Sequence, residues 1–157
     1  QQLLEFEWQK RAPDLPFTTR YEALIMASII EKETGEDRER ADISGVFTRR
    51  LKLGMKLQTD PTVIYGLGES FDGNLRRVDL LSDTPYNTYT RDGLPPAPIA
   101  MPGAASIEAA LHPTTGPYLY FVGKGDGSHE FSINLNDHNA AVRRYQLKPH
   151  GRAHEYR

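Results

Sequence analysis

The chain has 157 residues, 38% apolar and 25% charged, with a formal net charge of −2. This is enough for one domain with a real core, and no basic field points to nucleic acid as a partner. The absence of cysteine excludes disulfides and thiolate metal sites but fits any redox compartment, and no apolar run reaches the ~18 residues of a membrane-crossing helix.

Residues 1–10 read as a short helix with Leu3, Leu4, Phe6 and Trp8 as its apolar side chains, broken by the two prolines of "RAPDLPF". Thr19 and Glu22 have capping-box spacing, so a helix starts at about Arg20 and is expected to end at Gly35 as a C′ residue. A second helix is expected from about Asp37 to Leu53, with Ile43, Val46, Phe47 and Leu51 on one face and Gly54 closing it. "MKLQT" (55–59) is a short strand candidate. Asp60 as N-cap with Pro61 at N1 then opens one or two helical turns.

Residues 68–103 hold five prolines and three of the glycines at 73, 93 and 103, and read as a long irregular segment. Its Tyr, Asn and Thr content argues for an ordered surface loop. "GAASIEAAL" predicts a short helix stopping before Pro113. "YLYFVGKGDGSHEFSIN" predicts a hairpin at about 118–133. "NDHNAAVRRYQL" predicts a last helix capped by Asn136 or Asp137, and 148–157 a frayed tail. The expected class is α+β: N-terminal helices packed with a small antiparallel sheet, and a long ordered Pro/Gly/Tyr-rich loop between them.

The segment Ala23–Ile30 is apolar apart from Ser28, and two glutamates follow it at 31 and 33. On a helix over 20–34, Glu33 shares a stripe with Met26, Ile29 and Ile30, and Glu31 with Leu24, Ala27 and Ser28. The two carboxylates point roughly 200° apart, so they do not form a close pair. Glu33 lies nearer the C-terminal end, where the macrodipole disfavours a negative charge; partial desolvation acts in the same direction. Both raise its pKa, which suits a general acid near neutral pH. The competing reading has both glutamates solvated or paired with Lys32, Arg38 or Arg40.

"ASIIEKET", "VFTRRLKLGMKLQTDPTVIYGLG", "YNTYTRDGLPPAPIAMPGAASIEAALHP" and "YLYFVGKGDGSHEFSINLNDHN" occur in this order over about residues 20–147. Together they closely resemble the catalytic domain of the YceG-like endolytic murein transglycosylases. The resemblance divides the chain into an N-terminal helix and linker (1–19), a catalytic domain (20–147) and the tail (148–157). It implies an enzyme that cuts nascent peptidoglycan glycan strands internally, leaves a 1,6-anhydro-N-acetylmuramic acid end and so terminates elongation. It also implies a single-pass protein of the bacterial inner membrane, with the catalytic domain facing the periplasm and peptidoglycan synthases as partners. The membrane helix and LysM-like region expected upstream do not precede Gln1, so the chain reads as a soluble piece of a longer protein. The family's catalytic glutamate falls on Glu33, and no metal or cofactor is required.

Substrate-binding candidates come from the polar and aromatic motifs. Gln58 and Asp60 flank Thr59; Asp60 either caps the next helix or orients substrate and stabilises oxocarbenium-like charge. Asn87 and Thr88 suit N-acetyl and hydroxyl groups, and Tyr65, Tyr86 and Tyr89 offer flat faces for sugar rings, or else belong to the core. His129 and His138 are expected to bond backbone groups, line a cleft near the hairpin or pair locally, since no metal-ligand spacing is present. "RER" and "FTRRLK" read as solvated helix faces, with contact to acidic stem peptides or lipid phosphates as the alternative. Two other functions stay open: a hydrolase using Glu31, Asp60 or Asp37 as a second carboxylate, and a non-catalytic glycan-binding scaffold.

Overall fold

The computed structural model describes residues 2–145. Helix α1 (Gln2–Gln9) inserts Trp8 into the core, and the linker after it is tied down by Ala12 N–H donating to Leu111 O at 3.0 Å. Helix α2 (Arg20–Glu33) begins at the expected capping box. The Glu22 N–H donates to Thr19 Oγ1 at 3.1 Å, while Glu22 Oε1 accepts from the backbone N–H groups of Thr18 and Thr19. The helix is buried over most of its circumference, which explains its nearly unbroken apolar run. It does not end on a left-handed glycine. Thr34 turns extended and its Oγ1 accepts from Glu36 N–H at 2.9 Å, so the chain leaves the helix without needing Gly35 at positive φ.

The stretch expected to form one helix from Asp37 divides into a 3₁₀ turn (Asp37–Glu39) and helix α3 (Arg40–Leu53). Gly54 closes α3 at φ 76°, as expected. Gly45 is required by a close approach: a Cβ there would lie 2.6 Å from Thr114 O. "MKLQT" forms no strand. It runs along the irregular segment instead, with Gln58 N–H donating to Thr88 O and Thr59 N–H to Thr88 Oγ1. Gln58 itself has φ 51°, which breaks extended geometry.

Helix α4 (Asp60–Leu67) starts one residue earlier than expected, so Thr59 holds the N-cap position and Pro61 follows Asp60 inside the helix. Asp60 is therefore not the cap. The segment 68–103 is less irregular than its composition suggests. It contains a 3₁₀ turn (Gly68–Ser70) and helix α5 (Arg77–Leu81), five residues long and too short to show a periodic pattern. The rest is ordered by side chains bonding to backbone. Asn87 Nδ2 donates to Leu80 O and Ser82 O, and its Oδ1 accepts from Tyr89 and Thr90 N–H.

Helix α6 (Ala104–Leu111) packs most extensively on α2, and α1 and α3 also pack against it. Strands β1 (Tyr120–Gly123) and β2 (His129–Ser132) form the expected hairpin, antiparallel with Phe121 opposite Phe131. Gly125 and Gly127, at φ 96° and 94°, make its turn. Helix α7 (Leu135–Tyr145) covers the hairpin. Its N-terminal cap is Asn134, whose Oδ1 accepts from Asp137 N–H at 2.8 Å, not Asn136 or Asp137. The last two residues of the expected helix, and the tail, lie outside the described residues. The architecture is α+β: helices early, a two-stranded sheet late, and an ordered loop between.

Buried Ser28 joins the core helix to the proline-rich loop. Its Oγ donates to Ile25 O at 2.7 Å and accepts from Ile99 N–H at 3.0 Å. Ser28→Ala leaves that buried N–H without its partner, a loss of about 1–3 kcal/mol. Denaturant unfolding is expected to show this loss, and hydrogen exchange at Ile99 to accelerate; unchanged exchange there would refute the pin.

Candidate active site

The C-terminal end of α2 opens into a cleft of about 260 Å³. Glu33, Gln58 and Asp60 line it on one side. Val46, Phe47 and Arg50 come from α3, and Tyr120–Gly123, His129 and His138 complete it from the hairpin and α7. Core burial of α2 thus carries Glu33 to the cleft wall. Glu31, on the opposite side of the helix, goes elsewhere. Its Oε1 accepts from Gly103 N–H at 2.9 Å and from Ser106 Oγ at 2.8 Å, which places a carboxylate at the N-terminus of α6.

The two glutamates consequently differ in acidity. The backbone bond from Gly103, then the Ser106 hydroxyl, hold Glu31 below the usual carboxylate range. Glu33 is raised to about 7, chiefly by desolvation. The nearby Asp60 charge pushes in the same direction, and the hydrogen bond donated by Thr59 Oγ1 to Glu33 Oε2 opposes both. Glu33 is only partly enclosed as a residue, so its carboxyl is desolvated and still faces the cleft.

Thr59 is central to this geometry and was not singled out in the sequence. It holds the N-cap position of α4, yet its hydroxyl makes no capping bond and reaches Glu33 instead. Asp60, in the first turn of α4, accepts from Tyr89 Oη at 2.6 Å.

The structure brings Gln58, Asp60 and His129 to the cleft beside Glu33 and links Tyr89 to it through Asp60. Asn87 and Thr88 are buried in the loop and engaged in its internal bonds, Thr88 with Thr59 N–H and the Thr62 hydroxyl. Tyr65 and Tyr86 stand away from the cleft lining, their ring centroids 4.8 Å apart, and Tyr86 packs on the core. His129 is gripped by Glu39. The backbone N–H of His129 donates to Glu39 Oε2 at 3.1 Å, and its Nδ1 lies 2.7 Å from Oε1. His138 stacks on Tyr120 at 5.0 Å.

Arg50 departs from the expected solvated face of "FTRRLK". It is 7% exposed and donates through Nε to Leu119 O at 2.7 Å and through Nη1 to Lys56 O at 2.8 Å. Its guanidinium lies 4.8 Å from the Tyr120 ring centroid. The signal available was positional: Arg50 sits three residues after the buried Phe47, on the same side of α3. Among the described residues, no group of three or more His, Asp or Glu side chains could hold a metal.

Because Glu33 binds its proton more tightly in the folded chain than at its ordinary value of 4.5, folding takes up a proton between pH 4.5 and about 7. The stabilisation is complete below 4.5 and lost as the pH rises through 7. Glu33→Gln removes this dependence. It is expected to match the parent near pH 4 and exceed its stability at pH 8 by on the order of 3 kcal/mol, measured by denaturant unfolding. Equal stability at pH 8 would contradict the desolvated site. Asp60→Asn is expected to lower the Glu33 midpoint in a carboxyl NMR titration, and an unmoved midpoint would remove Asp60 from its electrostatics.

The YceG-like family model matches residues 1–144. Over 125 residues the chain is 49% identical to the endolytic murein transglycosylase of Bacillus subtilis, covering 80% of this chain and 34% of that protein. It is 34% identical to the endolytic murein transglycosylase of Streptococcus pneumoniae, covering 77% of this chain and 23% of that one. The crystal structure of a YceG-like protein from Listeria monocytogenes superposes with a TM-score of 0.75 at 44% identity, over 87% of this chain and 42% of the other. The chain therefore spans about a third of the length of its Bacillus relative, and it belongs to the YceG-like family.

Proposed function

We propose that the chain is the catalytic part of an endolytic lytic transglycosylase acting on the glycan strands of peptidoglycan, with Glu33 as its acid and base. The observation that carries this reading is the position of Glu33: a desolvated carboxyl in an open cleft, with a pKa of about 7. The names of the Bacillus and Streptococcus relatives support the substrate and reaction class.

Glycosidic cleavage needs a proton on the leaving oxygen. Glu33 is partly protonated near neutral pH and supplies it. The C6 hydroxyl of the muramoyl sugar then attacks its own C1, an intramolecular step in which proximity takes the place of water. Glu33, now ionised, accepts the C6 hydroxyl proton and is restored. The new C1–O6 bond leaves a 1,6-anhydro end and stops the strand from growing. Thr59 holds the carboxyl in place, and ionised Asp60 offsets positive charge developing at C1. By the family resemblance, we place this reaction on the periplasmic side of the inner membrane, beside peptidoglycan synthases. Among the described residues, no helix is long and apolar enough to cross a membrane.

Mass analysis of products from uncrosslinked glycan tests the reading. Ends lighter by one water than hydrolytic ends are expected from the parent, with release reduced about 10²–10⁴-fold in Glu33→Gln. Ends carrying that water would make the chain a hydrolase with Asp60 as the candidate second carboxylate. Glycan binding without any product would favour a scaffold.

A further inference from the structure

The cleft contains a cation that the acid–base chemistry does not use. Arg50 is more than nine-tenths buried, and two of its guanidinium nitrogens are held by the backbone carbonyls of Leu119 and Lys56. Nη2 has no hydrogen-bond partner among the described residues, and Arg50 lines the cleft. Burial acts most strongly on Arg50, and the groups that act on it next are the phenols of Tyr120 and Tyr89, neutral near pH 7; among the described residues no carboxylate forms an ion pair with it. A buried guanidinium without a counter-ion is costly to fold. It also opposes the positive charge that develops during glycosidic cleavage, unless an anion neutralises it. Its fixed fork suits a carboxylate better than a neutral hydroxyl.

We propose that Arg50 is a specificity determinant that receives a carboxylate borne by the muramoyl side arm of the glycan. The carboxylate is either that of the lactyl group or the first one of an attached peptide. The proposal rests on the cleft being the glycan site and assigns the side arm, rather than the sugar ring, to the α3 wall. Bonds to Leu119 and Lys56, together with stacking on Tyr120, hold the guanidinium so that Nη2 is presented without reorganisation.

The test is a chemical-shift titration of the Val122 and Gly123 amides, which belong to the cleft wall. The probes are N-acetylmuramic acid, its neutral lactyl amide and N-acetylmuramoyl-L-alanine. The parent is expected to bind at least one of the two acids about tenfold or more tightly than the amide, as a charge-assisted hydrogen bond would give. Preference for N-acetylmuramic acid alone identifies the lactyl carboxylate, preference for the alanyl compound alone identifies the peptide's, and preference for both shows that the guanidinium accepts either. Arg50→Met is expected to abolish the preference and Arg50→Lys to restore part of it. The parent's acid-to-amide ratio decides the matter even if these variants fold poorly. Equal affinities in the parent, no binding of any probe, or a preference that survives Arg50→Met would overturn the proposal. Glycan cleavage measured in parallel separates the two readings: cleavage without an acid preference overturns the arginine subsite alone, and loss of both overturns the reading of the cleft.

Discussion

A carboxyl group carried on the last residue of a core helix has little water in which to ionise, and the rest of the site is arranged around that constraint. Helix α2 is surrounded by α1, α3 and α6, so its direction is set by packing. Its end must emerge where the core ends, and there Glu33 meets the cleft. Desolvation, not a proton-sharing partner, is the largest influence on its acidity. A site built this way can use one carboxyl in both protonation states near neutral pH.

The neighbouring segment adjusts that carboxyl from two directions. Thr59 gives up a capping bond at α4 and donates to Glu33, which favours the ionised form. Asp60, one residue on, favours the protonated form through its charge. The opposed influences come from consecutive residues on a backbone held by Thr88. The loop at 82–103 therefore shapes the site without lining much of it: Asn87 and Thr88 order the backbone, and Tyr89 secures Asp60.

The second glutamate shows how completely environment separates two identical side chains. Glu31 accepts two hydrogen bonds at the start of α6 and acts as a fastener between core helix and proline-rich loop. With Ser28 and Ile99 it makes a second point of attachment along the same helix. Two of the loop's backbone donors, the N–H groups of Ile99 and Gly103, are taken up by α2 side chains, and its prolines reduce the entropy lost in ordering it.

Much of this was legible in one dimension. Capping boxes, apolar stripes and glycine turns are local, so α1, α2, α3, α6 and the hairpin could be read from spacing, and the 100° turn per residue separated Glu31 from Glu33 before any contact was known. The strand expected at 55–59 failed because a strand needs a partner, and the neighbour turned out to be loop backbone. Asp60 and Asn136 failed as caps because one-residue shifts in a helix start depend on which side chains are claimed by tertiary bonds, as the Thr59 hydroxyl is by Glu33. Arg50 and Thr59 escaped notice for the same reason: an arginine in a basic run and a threonine before a helix have common local uses, and only long-range packing set the one in the cleft wall and the other against Glu33. Sequence by itself determined where the longer helices form and which glutamate faces away from the other; tertiary structure alone decided the helix boundaries, the short α5, and the burial, partners and acidity of the site, because desolvation and long-range hydrogen bonds exist only once distant segments have met.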